Sequence, residues 1–106
     1  MLPPPTLVNL RSGASYDIYI GLGSPWGNRF LGDAPRPKAI QLYETRLRHL
    51  LNDPAWRVEL KGLSGKVLGC HCAPLDCHGD VIIKLFNELQ DGKIKTKEPN
   101  GEPQIS

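Results

Sequence analysis

The chain carries at residues 65–70 the stretch Gly65-Lys66-Val67-Leu68-Gly69-Cys70, which predicts a mostly buried strand. A segment rich in cysteine and histidine follows at 70–78. A helix is then expected from about Cys77 to Gln90, because apolar residues recur there at helical spacing. Its inward positions are Val81, Ile82, Leu85, Phe86 and Leu89. A buried strand that leads into a one-sided helix favours an α/β domain.

Two more helices are expected upstream of this strand. The first runs over about 36–51, where one apolar stripe recurs at spacings of three and four. Its members are Ile40, Tyr43, Leu47 and Leu50. Asp53 is placed to cap a second, shorter helix with Pro54 at its first position. That helix would bury Trp56 and Leu60, which are four residues apart, and stop at Gly62.

The N-terminal part predicts two short strands. Residues 6–10 form the first, and residues 16–20 alternate so that Tyr16, Ile18 and Ile20 share one face. Five turn-forming residues at 11–15 separate the two strands and predict an antiparallel hairpin. The expected fold is α/β, with a small sheet of at least three strands (the N-terminal hairpin plus the later strand) and two to three packed helices.

Length and composition indicate one domain. The chain has 106 residues, too few for two ordinary domains. Residues 1–5 are a proline-rich lead-in, and residues 6–90 hold the periodic elements. Residues 91–106 are polar and predict a disordered tail.

Charge and hydropathy exclude some partners. The net charge of +2 and the scattered basic residues give no strong signal for nucleic-acid binding. No apolar run approaches the roughly 20 residues that span a bilayer, and the N-terminus lacks the features of a signal peptide. We therefore expect a cytoplasmic protein without a membrane partner. The sequence does not indicate an oligomeric state.

The cysteine–histidine segment predicts a metal site. Cys70 and Cys72 are two residues apart on extended chain, so both sulfurs can face one point. Pro74 turns the chain back, and Cys77 and His78 open the last helix. Three thiols and one imidazole match the ligand set of structural zinc sites, so zinc is the expected cofactor.

Two alternatives stay open for the same segment. Cys70 can be a small buried residue at the end of a core strand, with His78 as a polar residue at a helix terminus. The segment can also be catalytic. The helix dipole would then stabilise a thiolate at Cys77, with His71 or His78 as base and Asp80 orienting it.

A glycine-rich loop after the second strand predicts a ligand site. It lacks the third glycine of a dinucleotide fingerprint and the lysine of a P-loop. Its residues nevertheless supply backbone amides, a hydroxyl, a flat ring and a side-chain amide, which suit a small nucleotide-like molecule. The alternative, which the frequency of packed aromatic residues favours, is a rigid loop with Trp26 in the core. Arg11 could add an anion contact. The candidate ligand-binding residues are Arg11, Gly21, Gly23, Ser24, Trp26 and Asn28.

Four short motifs together resemble a family of small phage and bacterial domains of unknown function. They are Val8-Asn9-Leu10-Arg11, Tyr16-Asp17-Ile18-Tyr19-Ile20-Gly21, Gly23-Ser24-Pro25-Trp26-Gly27-Asn28, and Cys70-His71-Cys72-Ala73-Pro74 with Cys77-His78-Gly79-Asp80. The family pattern has Arg, Pro and Trp where this chain has Leu22, Arg29 and His71. His71 is therefore the poorest candidate for a shared ligand. The resemblance implies a phage or bacterial, intracellular setting and supplies no activity.

Three functions remain as hypotheses. The first is an accessory domain that binds zinc and has a pocket for a nucleotide-like ligand. The second is an enzyme that acts on a nucleotide or nucleoside through a Cys/His site or a zinc-activated water. The third is a metal-free interaction protein with core cysteines, which would tolerate Cys72→Ser.

Overall fold

The computed structural model of the protein describes residues 2–21, 23–32, 34–70 and 78–94. Short 3-10 turns follow the first strand at Leu10–Ser12 and precede the first helix at Arg29–Gly32. The helices and strands of the described residues are, in chain order, β1 (Thr6–Asn9), β2 (Ile18–Tyr19), α1 (Arg36–Leu50), α2 (Pro54–Lys61), β3 (Val67–Cys70) and α3 (His78–Gln90).

The sheet has the strand order β1-β3-β2, and both outer strands run parallel to β3. The expected α/β fold is therefore confirmed, but the expected N-terminal hairpin is wrong. Strand β3 is the most apolar of the three and takes the central position, where both of its edges are paired. Asp17 fixes the start of β2 on it: its backbone N–H donates to the Val67 carbonyl at 2.8 Å, and its Oδ2 accepts from the Val67 N–H at 2.8 Å.

Residues 10–17 carry the chain back from the end of β1 to the start of β2 across one face of the sheet. Gly69 lies opposite both Val8 and Tyr19 in the register, at the centre of that face. A Cβ atom at Gly69 would lie 2.7 Å from Leu10 Cδ2 and 2.9 Å from Tyr16 Cγ. The missing side chain at Gly69 thus makes room for the returning segment. Tyr16 consequently packs over Gly69, so the expected common face of Tyr16, Ile18 and Ile20 is also wrong.

The helices pack on the other face, where the core lies. A Cβ atom at Gly79 would lie 2.6 Å from Leu7 Cδ1 and 3.0 Å from Ile20 Cδ1, so the glycine lets α3 approach the sheet closely. The expected inward residues of α3 are confirmed, with Leu89 only partly covered. The buried residues of this core include Ile20, Tyr43, Leu47, Leu51, Leu60, Leu68, Cys70, Val81, Ile82, Leu85 and Phe86.

The ends of the short helices follow the expected local chemistry. The Asp53 side chain accepts from the Ala55 N–H at 2.9 Å, and Pro54 stands at the first position of α2, as expected. Arg57 donates to the Leu51 carbonyl at 2.9 Å. This carbonyl lies at the C-terminal end of α1, where the helix offers no further backbone N–H groups. This contact joins α2 to the end of α1.

A charged cluster fixes α1 against α3. Arg48 forms two parallel hydrogen bonds with Glu88, both 3.0 Å long, and it also contacts Glu44 at 2.9 Å. Lys84 adds a contact to Glu44 at 3.1 Å. The pKa of Glu88 is lowered by its hydrogen bonds from Arg48.

The lead-in and the last described residues also contact the domain. The Pro3 carbonyl accepts from the Ser64 hydroxyl at 2.7 Å and from the Gly65 N–H at 3.1 Å. Ile94 packs partly against the core. The rest of the tail, 95–106, lies outside the described residues. Among the helices that are described, none is long and apolar enough to cross a membrane.

Candidate ligand-binding site

The glycine-rich segment leaves the end of β2 and folds into tight turns. The Gly21 carbonyl accepts from the Ser24 N–H at 3.1 Å and from the Ser24 hydroxyl at 2.7 Å. The Gly27 N–H donates to the Ser24 carbonyl at 3.0 Å. Gly23 has a φ of 91°, which L-residues rarely adopt. These hydrogen bonds give the loop a defined shape.

Two side chains tie this loop to α1. Asn28 is almost wholly buried, and its amide donates to the Ala39 carbonyl at 3.1 Å. Its carbonyl oxygen accepts from the Phe30 N–H at 2.9 Å. The Tyr43 hydroxyl donates to the Trp26 carbonyl at 2.9 Å. Asn28 therefore holds the loop in place from within the structure, instead of facing a ligand.

His78 secures the same loop from the sheet side. Its Nε2 lies 2.6 Å from the Ile20 carbonyl oxygen, and the ring also hydrogen-bonds the Trp26 backbone. The ring meets Tyr43 edge-on, with centroids 4.9 Å apart. Burial lowers the pKa of His78, against the effect of the two backbone contacts. The imidazole thus links α3, the end of β2 and the loop.

A cavity of about 380 Å³ opens between the loop and the helices α1 and α2. Its size falls within the range of small-molecule sites, about 300–1,000 Å³. Trp26 and Trp56 meet there edge to face, with centroids 5.5 Å apart and planes at 87°. The side chains that shape its chemistry are Ser24, Trp26, Arg29, Tyr43, Arg46 and Trp56.

The cavity is positively charged. Arg29 and Arg46 line it, whereas no acidic residue does among those described. Within the same described ranges, neither guanidinium has a hydrogen-bond or ion-pair partner, whereas Arg48 on the same helix is held by Glu44 and Glu88. Two unpaired guanidinium groups beside aromatic rings can bind an anion that carries a planar group.

The structure brings together part of the predicted ligand set. Gly23, Ser24 and Trp26 line the cavity. Gly21 and Asn28 support the loop behind it. Arg11 is exposed on the 3-10 turn after β1 and is not among the described residues that line the cavity.

Sequence reasoning missed all the charged and aromatic lining residues except Trp26, namely Arg29, Tyr43, Arg46 and Trp56. A signal existed for two of them. Tyr43, Arg46, Leu47 and Leu50 follow one another at spacings of three, one and three, so Arg46 shares a helix face with the apolar stripe. No comparable pattern connects the loop to Trp56, because that contact depends on how α2 packs.

The predicted metal ligands are described only in part. Cys70 is buried at the end of β3, and His78 is buried at the start of α3. Cys72 and Cys77 lie outside the described residues, as does His71. Asp80 is exposed in the first turn of α3. In the part of the chain that the structure describes, no three His, Cys, Asp or Glu residues are grouped so as to hold a metal ion.

Ile20 links the end of β3 to the start of α3. The Ile20 N–H donates to the Gly69 carbonyl at 3.0 Å, next to Cys70, and the Ile20 carbonyl contacts His78. A metal ion on His78 would compete with the ring's contacts to the Ile20 and Trp26 backbones, because metal coordination needs an unprotonated ring nitrogen. Of the two ligands described, Cys70 therefore fits the zinc prediction better than His78.

Comparison with known proteins gives two matches. Residues 8–88 match the family described as "Domain of unknown function (DUF4326)". An "Uncharacterized 12.4 kDa protein in nrdA-td intergenic region" of Enterobacteria phage T4 is 36% identical over 78 residues, which cover 72% of each chain. No solved structure matches. The expected likeness to small phage-type domains of unknown function is confirmed.

Proposed function

The chain belongs to the DUF4326 family of domains of unknown function, and we propose that it binds a small nucleotide-like anion in the cavity lined by Trp26 and Trp56. The phosphate would contact Arg29 and Arg46, and the planar base would lie against the tryptophans. The domain would act as an accessory protein in the cytoplasm.

One observation carries this proposal: Arg29 and Arg46 line the same aromatic cavity, and none of the described residues that line it carries a negative charge. Guanidinium groups bind phosphate oxygens through two parallel hydrogen bonds. Aromatic side chains stack on bases of any sequence, since every base has a π-face. Gly23 and Ser24 line the same wall. This combination suits a nucleotide better than a purely apolar ligand or a free phosphate.

Tryptophan emission provides the direct test, because the chain has two tryptophans and both line the cavity. Titration with each of the four common 5′-mononucleotides should change the emission with a saturating curve for at least one of them. Arg46→Ala should weaken that binding about tenfold, since a charge-assisted contact is lost. Lys38→Ala is the matched control, because Lys38 is exposed on α1, lies outside the cavity and carries the same charge.

The control separates a site from a general charge effect. If both variants weaken binding equally, the nucleotide responds only to net charge and the proposed site is wrong. If no mononucleotide changes the emission at millimolar concentration, the proposal also fails.

A second candidate is an enzyme that acts on a nucleotide or nucleoside. It is favoured by the contact between His78 and Tyr43, because Tyr43 lines the cavity and His78 directly follows the cysteine segment. Cys77 would supply a thiolate, or a zinc ion would activate water. Incubation with nucleotides, followed by chromatography, should then reveal a product that Cys77→Ser abolishes. An unaltered nucleotide pool with the wild-type protein would contradict this candidate.

We also propose that Cys70, Cys72, Cys77 and His78 bind zinc. Its support is the ligand chemistry of the segment, which holds three cysteines and a histidine within nine residues, and the burial of its two described members, Cys70 and His78. Zinc on His78 would replace a backbone contact of the ring. Such a site would stabilise a small domain, because metal binding and folding share their free energy. The metal content of the purified protein tests it, as set out in the Discussion.

A further inference from the structure

A second, shallower cavity lies next to the first, at the junction of α1 and α2. It measures about 400 Å³ and is lined by His49, Leu50, Asn52, Asp53 and Trp56. Leu50 and Trp56 also line the first cavity. Trp56 is half-buried and thus forms part of the wall on both sides. The two cavities therefore adjoin at Leu50 and Trp56.

Helix α1 runs along both cavities. Arg46 lines the first, His49 lines the second, and Leu50 lines both. Residues three or four apart share a helix face, and one turn rises about 5.4 Å. Arg46 and His49 are three residues apart, so they lie on one face of α1, about 4.5 Å apart along its axis.

The two cavities differ in charge. The first holds two guanidinium groups, whereas the second holds the Asp53 carboxylate beside the polar His49 and Asn52. Asp53 caps α2 by accepting from the Ala55 N–H at 2.9 Å, so a carboxylate already occupies the place where an anion would bind this helix. An uncharged group with hydrogen-bond donors and acceptors fits the second cavity better than a phosphate does. A nucleobase is such a group.

Resting on the proposed function, we propose that the two cavities form one site for two nucleobases joined through a phosphate. One base lies in the cavity of Trp26, the phosphate lies beside Arg46, and the second base lies beyond Trp56 against His49. The ligand class is thus a dinucleotide unit. It can be a free dinucleotide or two consecutive nucleotides of a single strand.

Affinity for matched ligands tests this assignment. The four common 5′-mononucleotides are compared with the corresponding 5′-phosphorylated homodinucleotides by calorimetry on the full chain. The dinucleotide should bind at least about fivefold more tightly than the mononucleotide of the same base, because a second base adds its own stacking contact. His49→Ala should remove about half or more of that gain and leave mononucleotide affinity unchanged. Gln41→Ala, exposed on the same helix outside both cavities, should change neither affinity.

The possible failures are distinguishable. Tight mononucleotide binding with no gain for any dinucleotide overturns the two-base site and leaves the proposed function standing. A gain that persists fully in His49→Ala also overturns it. No binding of either ligand overturns both proposals. If the dinucleotide binds more tightly than the mononucleotide, a homohexanucleotide identifies the natural ligand. Affinity equal to or higher than that of the dinucleotide indicates a single strand, and lower affinity indicates a free dinucleotide.

Discussion

The Nε2 atom of His78 lies 2.6 Å from the carbonyl oxygen of Ile20. This contact joins the first residue of α3 to the residue after β2, where the glycine-rich loop begins. The same ring hydrogen-bonds the Trp26 backbone further along the loop. His78 is therefore a buried residue that supports the wall of the candidate site.

This relationship predicts that stability falls in mild acid. Burial lowers the pKa of His78 below its ordinary value of 6.5 in the folded protein. Below pH 6.5 the unfolded chain takes up a proton that the folded chain does not, so the free energy of unfolding decreases as the pH falls towards the folded-state pKa. Above pH 6.5 the titration of His78 no longer reduces the free energy of unfolding. Urea denaturation between about pH 5 and pH 8 measures how the free energy of unfolding changes with pH. This range brackets the pKa of histidine in the unfolded chain.

Two variants identify the group responsible. His78→Gln should flatten the profile below pH 6.5, because the titrating ring is gone. Glu88→Gln should leave that part unchanged, since the Arg48 contact lowers the pKa of Glu88 from 4.5 and its effect therefore falls at more acidic pH. A profile that stays equally steep in His78→Gln would contradict the assignment.

Gly79→Ala is expected to destabilise the fold by about 1–3 kcal/mol, the usual cost of an extra group in a packed core. The added Cβ would stand 2.6 Å from Leu7 Cδ1 and 3.0 Å from Ile20 Cδ1, so α3 or the sheet would have to shift. Chemical denaturation measures the change. Gly32→Ala serves as the control, because its Cβ would meet nothing within 4 Å. Equal denaturation midpoints for the two variants would show that α3 does not pack tightly against the sheet at Gly79.

Asn28→Ala should reduce stability by about 2 kcal/mol or more. The substitution removes a buried amide that pairs with the Ala39 carbonyl and the Phe30 N–H, and it leaves both backbone groups without that partner. Thermal unfolding checks this expectation. Arg11→Ala, a change of an exposed residue that was predicted together with Asn28, should leave stability within about 0.5 kcal/mol. If Asn28→Ala is as stable as the wild-type protein, the Asn28 side chain does not hold the loop in place.

The helices could be predicted from the sequence more fully than the sheet. Asp53 and Pro54 mark the start of α2 by local hydrogen bonding, and the stripe through Tyr43 and Leu47 marks α1, so both were found. Strand pairing depends on contacts far apart in the chain. Five turn residues between two short strands indicated a hairpin, whereas the apolar β3 separates β1 from β2. Nothing local in residues 10–17 signals that the chain crosses above Gly69.

In the candidate site, too, local features could be predicted from the sequence and long-range contacts could not. Gly23, Ser24 and Trp26 were identified because one loop carries them. Arg46 and Trp56 reach the cavity from two helices, and only the packing of α1 and α2 brings them to it. Asn28 and His78 look like ligands in the sequence, since polar side chains near glycines or cysteines suggest binding. Their hydrogen bonds to backbone groups become visible only in the folded chain.

The zinc proposal predicts about one zinc ion per chain in protein purified without a metal-binding tag. Three thiolates and one imidazole form a closed set for zinc, so Cys72→Ser should lose both the metal and thermal stability. Mass spectrometry of metal content and a melting curve measure the two effects. Ser64→Ala removes a hydroxyl that contacts Pro3 and should retain the metal. Metal-free wild-type protein, with Cys72→Ser equally stable, would instead support cysteines that only fill the core.

The central claim is that nucleotides bind in the cavity lined by Trp26 and Trp56, and nuclear magnetic resonance of the indole N–H groups tests it most directly. The chain has two tryptophans, so each indole signal reports on one wall of the cavity. The account predicts that both signals shift and saturate together as the preferred 5′-mononucleotide is added, and that Arg46→Ala moves the midpoint to about tenfold higher concentration. Indole signals that stay in place at millimolar concentrations of all four mononucleotides would contradict it.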